Sequence, residues 1–306
     1  MSSFNSCSIF SRTPSWKPLL PLLVLLASPG CGSEVEDPLP GNTFQTYWYS
    51  GAEIARYSLE QVQYGESRRG DAVLIFITEP FLPETQVKED FPLPSEEGVP
   101  SLKLNRVHQF VTGLYPYSLM SSTFAPIDRQ NFPRALKLTA STQDWCGHSW
   151  YQFNRRDDRY HHEVRSYFQK KADHNGVEQE TTAWLEEDLF LQIRLDPENL
   201  PVGPLSAIPS PFVQRLGHLD PQAGAAIAEK TVNQTSSTFK IRYTSIDRTV
   251  TIDYDTTFPH RIRSFEETLN GKTVTRAKLT HLKILPYWEL NRPGDLHFRS
   301  QLGLQP

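Results

Sequence analysis

The stretch STQDWCGHSW, residues 141–150, holds the one cysteine outside the N-terminal region, with a histidine two positions later. A Cys–His pair is the smallest unit of thiol catalysis, in which the imidazole takes a proton and the thiolate attacks, and it needs the two groups about 3 Å apart. In a continuous strand Asp144, Cys146, His148 and Trp150 share one face, and Gln143, Trp145 and Tyr151 share the other. Cys146 and His148 then stand about 6–7 Å apart, too far for direct proton transfer. The stretch therefore predicts a buried or cavity-lining strand cysteine that packs as a small hydrophobe, with no catalytic residue. A cysteine-dependent hydrolase using Cys146 and His148 is the alternative, reached if Gly147 marks a bulge that re-aims the pair.

Other chemistry has less to stand on. YHHEV places His161 and Glu163 on one strand face and His162 on the other, and His108, His174, His218, His260 and His281 show no ligand spacing, so no metal is expected. There is no Gly-x-Ser-x-Gly elbow, no phosphate-cradling glycine loop and no His-Glu-x-x-His, and no cofactor is expected. GESRRG at 65–70 reads as a solvated turn. Polar and aromatic side chains instead concentrate at Lys103, Asn105, Tyr115, Tyr117, Gln143, Asp144, Trp145, Cys146 and His148. Tyrosine and tryptophan present an apolar body with a polar tip, which suits a non-catalytic site for an amphiphilic ligand or a partner protein.

The elements that must carry these residues read as strands. DAVLIFITE at 71–79 is an almost unbroken β-branched and aromatic run, suited to a strand covered on both faces. SLKLNRVHQF alternates, and ALKLTASTQDWCGHSWYQFN pairs with RYHHEVRSYFQKK across a tip at Arg155–Arg159. The second half repeats this grammar, and Asn270-Gly271 between two alternating runs is a type I′ hairpin signal. One helix is predicted over 184–195. Trp184, Leu185, Leu189 and Ile193 lie near one face, acids suit its N-terminal dipole, and Pro197 stops it. The predicted fold is mainly β: an antiparallel meander curled into a partial barrel or curved sheet, its open mouth plugged by one packed helix and its concave face the expected binding site for the amphiphilic ligand or partner protein.

The N-terminus reads as an address. Arg12 and Lys17 precede the apolar run PLLPLLVLLASPGC, which is short for a membrane span. Small residues then lead to Cys31, the order of a bacterial lipoprotein signal, with Ser28 where the lipobox usually has Leu. The expected organisation is a signal over 1–30, an acidic Pro/Gly tether over 31–45 and a single β-rich domain over 46–306. Cys31 carries the lipid, and the protein is exported and membrane-anchored in the cell envelope, at the outer membrane. Removing Arg12 and Lys17 from the 31 cations leaves 29 against 35 acids, so a nucleic-acid partner is not expected. With Cys7 removed and Cys31 acylated, Cys146 has no partner for an intramolecular disulfide.

Segments along nearly the whole mature chain resemble a family of exported lipoproteins found chiefly in Bacteroidetes. The matching motifs are Tyr64–Glu66, Val73–Glu79, Gln86–Lys88, Leu102–Asn105, Thr112–Ser118, Gln143–Gly147, Phe258–Thr268 and Leu302–Leu304. Asp144 stands where that family has Glu, and His260 where it has Tyr. Some members carry the name septum formation inhibitor Maf, but the Ser-Pro-Arg-Arg signature of Maf pyrophosphatases is missing here. The resemblance implies an envelope location and this architecture, and no reaction. A purely structural envelope role is the remaining expectation.

Overall fold

The computed structural model describes residues 44–90 and 97–305. The expected signal, the Cys31 lipid site and most of the tether lie outside the described residues.

The strands follow from the alternation noted above. They are β1 (Ala52–Gln63), β2 (Glu66–Leu82), β3 (Val87–Lys88), β4 (Val99–Thr112), β5 (Tyr115–Pro126), β6 (Lys137–Asp144), β7 (Gly147–Arg156) and β8 (Arg159–Ser166). After them come β9 (His174–Val177), β10 (Trp184–Leu185), β11 (Gly203–Ile208), β12 (Gly224–Val232), β13 (Ser236–Tyr243), β14 (Arg248–Asp255), β15 (Ile262–Leu269) and β16 (Lys272–Leu285). All sixteen belong to one sheet, ordered β10-β11-β12-β13-β14-β15-β16-β1-β2-β4-β5-β6-β7-β8-β9, with β3 paired to β2. Every pairing is antiparallel except β10 with β11.

Each long strand pairs with its chain neighbour, and β16 returns to pair with β1. The meander would be a barrel but for one break, between β9 and β10. Residues 178–183 cross that break, and after β10 the chain leaves the sheet to form α2 (Glu186–Leu195) before returning as β11. Across the break the Ala223 backbone amide, just before β12, donates to Glu178 Oε2, just after β9, at 2.7 Å. The sheet is thus curled without being closed.

Tight turns set the register. Asn270 and Gly271 have φ of 50° and 70°, the pair of left-handed conformations that a type I′ hairpin demands, and Gly271 supplies one without a Cβ penalty. Asp157 and Asp158 adopt the same geometry, 49° and 58°, at the expected β7–β8 tip. The β1–β2 turn is Tyr64-Gly65, so Glu66–Gly70 are strand residues and not the turn that GESRRG suggested.

α2 corresponds to the predicted helix, but it does not plug a mouth with one apolar face. Every residue from Glu186 to Arg194 is buried, because the helix lies against the inner face of the sheet. It is also not the only helix: α1 (Phe44–Trp48), α3 (Pro211–Gly217) and α4 (His297–Gln301) are short additions. Alternation in β2 puts Ala72, Leu74 and Phe76 in the inner core. Val73, Ile75 and Ile77 face outward, where Leu302 and Leu304 of the C-terminal segment cover them. This is why DAVLIFITE reads as apolar on both faces.

Candidate functional site

The cysteine stretch is a hairpin and not one strand. Gln143 pairs with His148 and Asp144 with Gly147, leaving Trp145-Cys146 as a two-residue turn. The turn inverts the parity on which the sequence reading relied. Asp144 points inward and is buried, whereas His148 and Gln143 point outward and are exposed. Cys146 is exposed at the tip, which corrects the expectation of a buried or cavity-lining strand cysteine. Nothing joins its thiol to the imidazole. Asp144 Oδ1 accepts from the Cys146 amide at 2.6 Å, and its Oδ2 accepts from Arg215 Nη2 at 3.0 Å. Asp144 therefore ties the tip to α3 and does not orient His148.

Three hairpin tips stand side by side at this end of the sheet: Tyr64-Gly65, Gly113-Leu114 and Trp145-Cys146. Tyr115 and Tyr117 stand on β5 just below the second. The Tyr64 and Tyr117 hydroxyls are 2.7 Å apart, and the Tyr115 hydroxyl donates to that of Tyr64 at 3.2 Å. Those hydrogen bonds pull the Tyr64 phenol below its usual value. Tyr117 is raised above it, first by burial and then by its bond to Tyr64. Tyr115 stacks on Trp145 with centroids 6.1 Å apart, and Tyr117 stacks on Phe110 at 5.0 Å. Tyr167 packs beside Gly147, where an added Cβ would be 2.9 Å from its ring. The rim leaves large side chains in water: Tyr64 is 64 % exposed, Leu114 78 %, Trp145 67 % and Tyr167 76 %.

The remaining predicted residues do not join this rim. Lys103 and Asn105 occupy outward positions of β4. Lys103 Nζ pairs with Glu79 Oε1 at 2.9 Å, and Asn105 Oδ1 accepts from Ser122 Oγ at 2.7 Å. Of the nine candidates, Tyr115, Tyr117, Trp145 and Cys146 come together, with Asp144 beneath them.

Below the rim lies a cluster that the sequence reading missed. The inward positions of β4 run Leu102, Leu104, Arg106, His108, Phe110, so a guanidinium and an imidazole enter the core. Arg106 donates to Glu187 Oε1 at 3.1 Å, to Glu267 Oε1 at 3.5 Å and to His108 Nε2 at 3.2 Å. The rings of Phe190, Phe212 and Phe265 stand about 5 Å from its guanidinium carbon. Arg248 holds Glu186 through both terminal nitrogens and also reaches Glu267 Oε2 at 2.8 Å, while the Tyr243 hydroxyl donates to Glu186 Oε2 at 2.6 Å. Arg194 binds both oxygens of Glu53 at 2.6 Å, and Arg129 binds Asp188 at 3.0 Å.

Two cations, Arg106 and Arg248, thus face three carboxyls, Glu186, Glu187 and Glu267. Burial would raise all such acids, since a charge in low dielectric is costly. Arg248 overrides burial at Glu186, which is held below the usual carboxylate range. Arg106 does not override it at Glu187, which is raised. Glu187 Oε2 has no hydrogen-bond partner, so it is the oxygen that best accommodates a proton. His108 is held well below the usual imidazole range by burial and then by Arg106, and its Nε2 accepts, so the neutral ring carries its proton on Nδ1.

α3 roofs this cluster. Ser210 caps it, accepting from the Phe212 amide at 3.3 Å and donating to Glu187 Oε1 at 2.5 Å, with Pro211 in the first turn. Between α3 and strands β1, β15 and β16 lies a cavity of about 110 Å³, walled by Phe212, Leu216, Leu269 and Val274 and floored by His108 and Glu267. That is smaller than the roughly 150 Å³ apolar cavity known to hold benzene, so it admits only a small apolar group unless α3 moves.

The candidates are therefore an exposed aromatic rim and a small cavity over an ionic core at the same end of the sheet. Comparison of the chain with protein-family models, with curated proteins and with solved structures gave no match.

Proposed function

We propose that the protein is a non-catalytic, lipid-anchored component of the bacterial envelope that binds an amphiphilic molecule at the aromatic rim of its sheet. The observation that carries this reading is the rim itself. Four large side chains on neighbouring turns stand in water while the tyrosine hydroxyls are tied to one another. Such a surface costs solvation free energy unless something covers it, and rings with inward hydroxyls match a ligand with an apolar body and a polar head. The expected site, the concave face, is filled by α2 and its ion pairs, so binding moves to the rim. The apolar cavity beneath α3 offers a place for the first atoms of a chain.

The anchor in this reading is a lipid on Cys31, which holds the protein at the membrane of the envelope. Phe44 stands at the end of the sheet opposite the tips, and the twelve residues of β1 separate the two ends by about 40 Å. The resemblance to exported Bacteroidetes lipoproteins supports the same location. A hydrolase using Cys146 has no support from the geometry, because the thiol, His148 and Asp144 diverge.

The test uses the full chain with Cys31→Ser, so that no lipid of its own competes. Dansyl-labelled lysophospholipid and fatty acid are titrated against tryptophan emission. Burying one aromatic side chain is worth about 1.5–3 kcal/mol, so Tyr64→Ser with Trp145→Ser should weaken binding at least tenfold. Unchanged affinity in the double variant rejects the rim as the site.

A further inference from the structure

The break in the sheet holds a second site, unrelated to the rim. A cavity of about 290 Å³ opens between β9 and the segment 220–222. Gly176 shapes it: a Cβ there would lie 2.5 Å from His162 Cε1, so only glycine lets this imidazole lie against β9. His162 lines the cavity at 7 % exposure, and its Nδ1 has no hydrogen-bond partner. A buried polar atom left unpaired costs about 1–3 kcal/mol, which a ligand can recover. The His174 ring stands edge-on to it with centroids 5.7 Å apart, and its Nδ1 is 2.9 Å from the Ala172 carbonyl oxygen, to which it donates. Burial, and then His174, hold His162 below the usual imidazole range, so at neutral pH it keeps one N–H to donate.

The backbone adds donors. The Glu178 amide bonds the Tyr160 carbonyl at 2.8 Å, and hydrogen-bonded positions alternate along an antiparallel pair. Residues 174 and 176 therefore face β8, and the amides of Asn175 and Val177 face the open edge. Lys170 and Lys171 complete the wall, with Lys171 paired to Asp220 across the opening. Two ammonium groups against one carboxylate leave the lining positive. Among the described residues no group of three His, Cys, Asp or Glu is arranged to hold a metal ion, and the ammonium groups oppose a divalent cation.

We propose that this seam cavity binds a phosphate group, with the His162 imidazole, the Asn175 and Val177 amides and Lys170 as its donors. The space exceeds that of a bare phosphate, so the group arrives on a small polar carrier, either a soluble phosphomonoester or a lipid headgroup.

The full chain with Cys31→Ser is titrated calorimetrically with inorganic phosphate and glycerol 3-phosphate, and co-sedimented with phosphatidylcholine vesicles with and without phosphatidic acid. Expected are saturable binding of a phosphate compound, weakened about threefold or more by Lys170→Ala and about tenfold by His162→Gln. Lys170 is exposed, so Lys170→Ala carries the test should His162→Gln fail to fold. Stronger binding of glycerol 3-phosphate assigns a soluble ligand, and sedimentation only with phosphatidic acid assigns a headgroup. Three results overturn the proposal: no binding in any arm, binding that neither variant changes, or His162-dependent binding of Zn²⁺ without phosphate.

Discussion

Glu186 and Glu187 are adjacent, equally buried and chemically identical, yet the ionic core predicts opposite costs for neutralising them. Glu186 is ionised and gripped by both terminal nitrogens of Arg248, with Tyr243 donating as well. Glu186→Gln leaves Arg248 with Glu267 alone, and removing one partner of a buried pair costs about 3–5 kcal/mol. Glu187 is the third carboxyl set against two guanidiniums, and burial, which Arg106 does not fully offset, raises its affinity for a proton. Glu187→Gln keeps the shape of the protonated carboxyl that burial favours and removes no ionised partner that Arg248 depends on, so it should cost about 1 kcal/mol, well below Glu186→Gln. The pH dependence separates them further. The folded chain holds a proton on Glu187 to higher pH than the unfolded chain, which releases it near 4.5. The stabilisation from Glu187 is therefore complete below that pH and is lost as pH rises through the folded-state value. Glu187→Gln should gain on the wild type as pH rises. Glu186, depressed in the fold, behaves in the reverse sense, its contribution being lost as pH falls. Urea unfolding followed by tryptophan fluorescence at pH 5, 7 and 9 measures both. Equal destabilisation of the two variants at pH 7, or a Glu187→Gln difference that ignores pH, refutes the charge assignment.

Cys146→Ala should change stability by no more than about 0.5 kcal/mol, since the residue is an exposed turn position. The wild type should also show one native thiol, missing from that variant, labelling at the rate of free cysteine; protection of that thiol contradicts the hairpin. Gly271→Ala places a Cβ at φ 70° with nothing within 4 Å, so backbone strain alone should cost about 1–2 kcal/mol in a urea titration. A neutral result there means the β15–β16 turn is not type I′. Cys31→Ser should abolish partition of the mature protein into detergent, and unchanged partition defeats the lipoprotein reading.

Local features were legible in the sequence. Alternating runs announced the long strands, Asn270-Gly271 and Asp157-Asp158 announced their turns, and Pro197 with the acids before it announced α2. These are decided by residues within a few positions of each other, through φ preferences and side-chain alternation, which a linear reading captures. The candidate site was legible only in part. Tyr115, Tyr117, Trp145 and Cys146 drew attention as polar and aromatic density, but a two-residue turn inside WCGH reversed the faces assigned to Asp144 and His148. Arg106 and His108 at inward positions between Leu104 and Phe110 were a signal that could have been read. The acids of α2 were not, because a solvated helix start and a buried ionic one are written with the same residues. What separates them is the arrival of partners from far along the chain: Glu267 is 161 residues from Arg106, and Glu53 is 141 from Arg194. Only the return of β16 to β1 brings those charges inside, and only the break between β9 and β10 opens the cavity beside His162.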